Sequence, residues 1–170
     1  MKIKNIIDKT GSFIIKRLSE LVGVSLLIFS ILFLVSLFSY SPEDPNFIFP
    51  ENAEIKNLMG SRGSYISDIF YQSLGLISLL VPISLFFISL QVIIEKKILH
   101  ILESIFFIVL YSITGTLFFT VFHTETFWLT INGNNGFIGN LFEESFFINL
   151  INLNHQISYL ILILLIIVFF

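Results

Sequence analysis

Apolar residues run through this chain in long blocks with few interruptions, so the repeat to read is the block length. A membrane-crossing helix needs ~20 apolar residues to cover ~30 Å of hydrocarbon at 1.5 Å each. Residues 21–40 meet that length, closed by Glu20 on one side and Ser41-Pro42-Glu43 on the other. Residues 69–94 form a second block without a formal charge, with Pro82 near its centre, where a lost backbone donor predicts a kink. Residues 104–122 make a third span. The fourth block, 157–170, covers only ~21 Å. Extending it backwards would bury Asn149, Asn152, Asn154, His155 and Gln156 in lipid, at high cost. The pattern therefore predicts an all-α, polytopic integral membrane bundle of four transmembrane helices, with the fourth helix truncated at the C-terminus and continuing beyond this sequence.

Between the spans lie outer loops 41–68 and 123–156 and an inner loop 95–103, preceded by a basic arm at 1–20. The arm holds Lys2, Lys4, Lys9, Lys16 and Arg17, and the inner loop holds Lys96 and Lys97. The outer loops have only Lys56 and Arg62, against acids that include Glu43, Asp44, Glu51, Glu54, Glu125, Glu143 and Glu144. The positive-inside rule then makes the N-terminus cytoplasmic. A cleaved signal peptide fits less well, because the apolar core is long and Ser39-Tyr40-Ser41 runs straight into Pro42. On the arm, Ile3, Ile6, Ile7, Ile14 and Leu18 share one helical stripe with Lys9 and Lys16 opposite. That suits a helix lying on the lipid surface, and equally a solvated positive tag.

Composition agrees with a membrane protein. The chain is 55% hydrophobic and 12% charged, against roughly a quarter charged in a soluble domain. A mean hydropathy of +0.93 excludes a disordered, charge-rich chain. With no cysteine there is no disulfide or thiolate chemistry, and a net charge of -3 argues against nucleic-acid binding by this segment.

Ionisable residues inside spans usually mark ion or substrate paths, and the four spans contain none. Their polar groups are hydroxyls such as Ser25, Ser30, Ser36, Ser84 and Ser112, which can bond back to their own helices. Ser112, Gly115 and Thr116 gather small side chains on the third helix, and Gly23 does so on the first, as candidate points of close helix packing. His123 and His155 fall at the outer ends of the third and fourth helices. Without a placed third ligand they read as interfacial histidines before they read as a metal pair. His100 stands alone in the inner loop. No phosphate-binding loop, nucleophile elbow or His-Glu-x-x-His pair is present, so the segment is not expected to be an enzyme, and no catalytic, cofactor or metal residue is assigned.

The outer loops are the most specific part of the chain. Ser41-Pro42-Glu43-Asp44-Pro45 forces a stiff, extended exit from the first span. Gly60 and Gly63 bracket a polar turn, after which Ser64 or Ser67 would cap the second helix and Asp68 would complement its dipole. Gly133, Gly136 and Gly139 precede Phe137, Ile138, Leu141 and Phe142 set against Asn140, Glu143 and Glu144, which predicts a short interfacial helix with Trp128 as anchor.

Taken in order, these residues resemble the N-terminal membrane domain of the FtsK/SpoIIIE family of bacterial DNA translocases. The likeness rests on Arg17, Glu20 and Gly23, then Phe38-Ser39-Tyr40-Ser41-Pro42-Glu43-Asp44-Pro45-Asn46-Phe47. It continues through Asn57, Gly60, Gly63, Asp68, Gly75 and Pro82 to the stretch from Gly133 to Gly139. The family usually carries tryptophan near Phe47, where this chain keeps an aromatic.

The resemblance implies a multi-pass anchor in the bacterial inner membrane at the division septum, contacting the lipid bilayer and other division-septum membrane proteins. The implied parent self-associates as a hexamer and couples chromosome segregation to cell division. ATP and Mg belong only to its downstream motor, and DNA is touched only through its C-terminal domains. Partner contacts are expected first at Pro42, Asp44 and Pro45, and then at Gly60, Gly63 and Asp68. The alternative is a small four-helix channel or transporter subunit, suggested by Pro82 and the hydroxyl-bearing helices.

Overall fold

The computed structural model describes residues 2–45, 54–123, 129, 131–143 and 145–170. The expected anchor Trp128, together with Asn46, Phe47, Glu51, Glu125 and Glu144, lies outside these residues. Among the described residues the secondary structure is helical throughout.

The first helix, α1 (Lys2–Phe38), runs unbroken through the basic arm and the first span. Its 37 residues make it about 55 Å long. It stops where Ser41-Pro42 bars continuation, its last turn tightening through Tyr40 N–H to Leu37 O at 3.3 Å. Its buried face carries only small residues in its first part (Ser19, Gly23, Ser30) and two bulky ones beside Ser36 toward its end (Phe33, Leu37). Against it lies α3 (Leu80–Glu95), antiparallel, with Val81, Ile88, Ser89 and Val92 buried. A Cβ on Gly23 would stand 2.7 Å from Ile93 Cγ1 and 3.3 Å from Ser89 O. Such close approach is what holds helices together where lipid removes the hydrophobic drive between them.

The second span departs from the expected boundaries. Helix α2 (Gly60–Leu74) begins nine residues before position 69, a 3₁₀ turn occupies Gly75–Leu79, and α3 follows. The break falls at Gly75, at φ 65° and ψ -145°, rather than at Pro82. Pro82 is the third residue of α3, where its missing N–H has no intrahelical acceptor to lose. Ser64, Ser67 and Asp68 are consequently inside α2, not at its cap.

Helix α4 (Leu99–Phe122) and α7 (His155–Phe169) form the second antiparallel pair. Tilted and edge-on ring pairs run the length of this contact: Phe122 with His155 at 4.4 Å, Phe118 with Tyr159 at 5.2 Å, and Tyr111 with Phe170, just past the end of α7, at 5.8 Å. His155 and His123 are both packed on aromatic rings. The pairs are joined by Ser84 Oγ and Tyr111 OH, 3.0 Å apart, and by Ile77 of the 3₁₀ turn seated where a Cβ on Gly115 would stand. Thr116 is fully buried and donates to Ile113 O at 2.9 Å. Ser112 is also buried, and its hydroxyl has no hydrogen-bond partner among the described residues. Of the hydroxyls expected to bond within their own helices, Ser30 does (to Leu27 O), whereas Ser36 and Ser84 reach across to neighbours.

Among the described residues three helical segments, Lys9–Phe38, Gly60–Glu95 and Leu99–Phe122, are long and apolar enough to cross a membrane. The 15 residues of α7 cover about 22 Å. Two short helices, α5 (Gly136–Leu141) and α6 (Phe146–Asn152), precede α7. At the basic end Glu20 accepts from both Arg17 and Lys96 at 2.6 Å. Lys96 there adopts the left-handed conformation, φ 58°, that closes α3. Because the chain has no cysteine, single cysteines report topology cleanly. In intact cells an impermeant maleimide is expected to label Glu54→Cys and Asn134→Cys and to spare Lys97→Cys; the reverse pattern inverts the orientation.

Candidate functional site

The polar residues singled out in the outer loops converge on a folded cap over the outer end of α1. Gly63, Asp68, Phe70 and Tyr71 of α2 all meet the same short stretch of α1 and its exit. Ser36 Oγ donates to Gly63 O at 2.7 Å, Tyr71 OH to Leu37 O at 3.2 Å, and the Phe33 and Phe70 rings lie 4.6 Å apart. Helix α2 therefore crosses the end of α1 instead of pairing along it. Its buried face is largely polar: Gly63, Ser64, Ser67, Asp68 and Tyr71.

The proline turn is locked onto this crossing by Asp44, which is 1% exposed. Its two carboxylate oxygens accept the backbone N–H of Lys56 and of Asn57, each at 2.8 Å. Asn57 passes the connection inward, donating through Nδ2 to Ser36 O at 2.9 Å and accepting Met59 N–H at 3.0 Å. Ser64 Oγ holds Pro45 O at 2.8 Å, and Tyr40 OH and Gln72 Nε2 both donate to Asp68 Oδ1, at 3.2 and 3.4 Å. The amide groups near a buried carboxylate are thus paired, which offsets the cost of burying it.

A second lobe enters from residues 129–142. Leu129, 2% exposed, joins Phe33, Leu37, Tyr71 and Val81 in one core. Asn134 O accepts Leu76 N–H at 2.9 Å, and Gly75 and Gly136 press backbone on backbone: a Cβ on Gly75 would lie 1.9 Å from Asn134 O. Asn132 Nδ2 donates to Gln72 Oε1 at 3.0 Å, and Asn135 Nδ2 to Thr120 Oγ1 at 3.2 Å and Asn140 Oδ1 at 2.6 Å. Sequence reasoning assigned no role to these asparagines. The signal available was the run Asn132-Gly133-Asn134-Asn135-Gly136, dense in residues that tolerate turns and bond locally.

The expected contact residues consequently divide. Asp44, Pro45, Gly63 and Asp68 are buried within the cap, and Gly60 serves its turn at φ 67° with open space around it. Pro42 is exposed, as are Glu43, Lys56, Leu58 and Arg62. Lys56 Nζ pairs with Glu43, and that ammonium holds the Glu43 carboxyl below the usual carboxylate range while its own pKa is raised. This surface pair is present at neutral pH and is lost as pH falls through the lowered Glu43 value. Among the described residues no three His, Cys, Asp or Glu side chains cluster as metal ligands.

The family profile described as the 4TM region of DNA translocase FtsK/SpoIIIE matches residues 15–170. The chain belongs to that family. Over 68 residues it is 35% identical to the DNA translocase FtsK of Azospirillum brasilense, covering 39% of this chain and 11% of that protein. Over 64 residues it is 36% identical to the DNA translocase FtsK of Rickettsia prowazekii (strain Madrid E), covering 38% of this chain and 9% of that one. These matches span about a tenth of either relative's length. No solved structure gives a significant match. In this FtsK/SpoIIIE 4TM region, then, the outer cap is built from the proline turn, α2 and the 129–142 lobe, with a few side chains left pointing outward.

Proposed function

We propose that this 4TM region anchors a longer DNA translocase in the bacterial inner membrane at the division septum, and that its outer cap is the surface met by other septal membrane proteins. The family match over residues 15–170 carries this reading, and the build of the cap supports it. Buried bonds of Asp44, Asn57 and Ser64 hold Pro42 and Glu43 in a fixed, outward-facing position. A preformed surface loses little conformational entropy when a partner docks. The motor that hydrolyses ATP with Mg, its hexameric assembly and its DNA contacts belong to segments downstream of this one. The division of labour leaves the membrane region to hold position while the cytoplasmic part moves DNA.

The test uses the whole protein, fluorescently tagged in dividing cells, with Pro42→Ala and Glu43→Ala combined. Insertion and total amount are expected to stay normal while septal enrichment falls several-fold, the behaviour of a truncated interface residue. Unchanged septal enrichment would show that this face of the cap does not recruit.

A further inference from the structure

The turn between α6 and α7 sits where the bundle leaves hydrocarbon. Phe122, the last residue of α4, and His155, the first of α7, pack ring on ring at 4.4 Å, so the outer ends of these two helices share one height. Helix α6 ends at Asn152, just before α7 begins, and it does not run straight on from α7. Ser158 Oγ donates to Ile151 O at 2.8 Å, although seven residues of straight helix would hold the two about 10 Å apart. The chain folds back at Leu153-Asn154, where Asn154 Oδ1 caps α7 by accepting Ile157 N–H at 3.4 Å. Helix α6, which touches both α4 and α7, is thereby kept at the outer end of the bundle.

Around its axis α6 divides into three sides. At about 100° per residue, Phe146 and Phe147 are exposed in one direction, the half-buried Ile148 and Ile151 lie ~120° round from them, and Asn149 and Asn152 take the remaining arc, exposed. Phe146 is 73% exposed, Phe147 56%, and Leu153, in the turn, 82%. In water these side chains would leave a large apolar area uncovered. A helix lying in the bilayer surface beside its own bundle has a use for each side: one for protein, one for acyl chains and one for water. Ile157 and Leu160, exposed on the first turns of α7, begin that helix's own lipid-facing surface at the same end. Residues 145–157 contain no Asp, Glu, Lys or Arg, so no charge opposes seating this side in the acyl region and none ties it to anionic headgroups. Helix α5, by contrast, is committed to the cap: a Cβ on Gly139 would stand 2.6 Å from Thr120 Oγ1.

We infer that α6 is an interfacial anchor in the outer leaflet. Phe146, Phe147 and Leu153 seat among the upper acyl chains, while Asn149 and Asn152 face water. Through the Ser158 bond to Ile151 O, α6 sets the depth at which the short helix α7 enters the bilayer.

The whole chain is reconstituted at one copy per nanodisc, in phosphatidylcholine alone or mixed with phosphatidylglycerol, carrying an environment-sensitive fluorophore on Phe147→Cys or on Asn149→Cys. A nitroxide near the top of the lipid acyl chain is expected to quench the probe at 147 several-fold more than the probe at 149, and aqueous iodide is expected to do the reverse. The pattern should be the same in both lipid mixtures and at high salt, because no charged residue of this segment takes part. A further probe on Ile157→Cys reads the depth of α7: combining Phe146→Ser with Phe147→Ser should raise its access to iodide several-fold. Equal iodide access at 147 and 149 would place α6 in water and overturn the inference. So would lipid quenching at 149 in place of 147, which would turn the phenylalanines outward toward a protein partner, or shielding at 147 only when discs hold two chains, which would assign that side to a second copy. Unchanged access at 157 in the double serine variant would overturn the depth-setting role.

Discussion

Gly75→Ala is expected to dismantle the outer cap. Two penalties coincide at this residue. Its backbone, φ 65° and ψ -145°, lies in a region that side chains rarely adopt, which costs roughly 1–3 kcal/mol. The new Cβ would also stand 1.9 Å from Asn134 O and 2.8 Å from Gly136 N, where only backbone is available to move, and overpacking of that kind adds about 1–3 kcal/mol. Relief requires the 129–142 lobe to lift, which breaks the Leu76 N–H to Asn134 O bond. Gly60→Ala is the matched control: its φ is 67°, but nothing lies within 4 Å, so only the conformational part, about 1–2 kcal/mol, is expected. Hydrogen exchange in proteoliposomes measures the difference directly. The Leu76 amide should lose its protection in Gly75→Ala and keep it in Gly60→Ala. Equal behaviour in the two variants would mean that the contact with Asn134 does not hold the lobe.

How much of this was legible in the sequence follows from what lipid demands and what it leaves open. Long apolar runs were readable because backbone groups in hydrocarbon must be satisfied within the segment: the first and third helices stop at Phe38 and Phe122, within two residues of where their apolar runs close, though both begin earlier than those runs, at Lys2 and Leu99. The start of the second was misplaced because residues 60–68 contain Arg62, Ser64, Ser67 and Asp68 and read as loop. In the fold their polar stripe, Gly63, Ser64, Ser67, Asp68 and Tyr71, is the buried face of a helix, the inverse of the usual amphipathic rule. Its spacing of three and four residues was visible, but its partner was not. The same holds for Asp44. The proline turn announced itself by backbone restriction alone, whereas the destination of the acid depended on Lys56 and Asn57, twelve and thirteen residues on. The bend assigned to Pro82 moved to Gly75 because a proline in the first turn of a helix removes no bond, while a glycine with positive φ redirects the chain outright.

Asp44→Ala is the second large effect, and it separates building the cap from using it. The carboxylate is 1% exposed and accepts two backbone amides at 2.8 Å. Removing it leaves two donors without an acceptor, at about 1–3 kcal/mol for each one that stays buried. Asp44→Asn should be intermediate, since one amide oxygen can still accept while the NH₂ group faces the other N–H. Exchange of the Lys56 and Asn57 amides should speed up in both variants, more in Asp44→Ala. Because Asn57 also carries the link to Ser36 O, the loosening should spread to the end of α1 and free the Pro42 surface from its fixed orientation. Septal enrichment is then expected to fall together with amide protection in Asp44→Ala. In the variant combining Pro42→Ala with Glu43→Ala it should fall with protection intact, because the Lys56 and Asn57 amides bond to Asp44 and the only bond lost is the exposed ion pair of Glu43 with Lys56 Nζ, worth little at a surface. If Asp44→Ala keeps both amides protected, the carboxylate is not the clamp, and the rigidity of the proline turn must come from its two prolines alone.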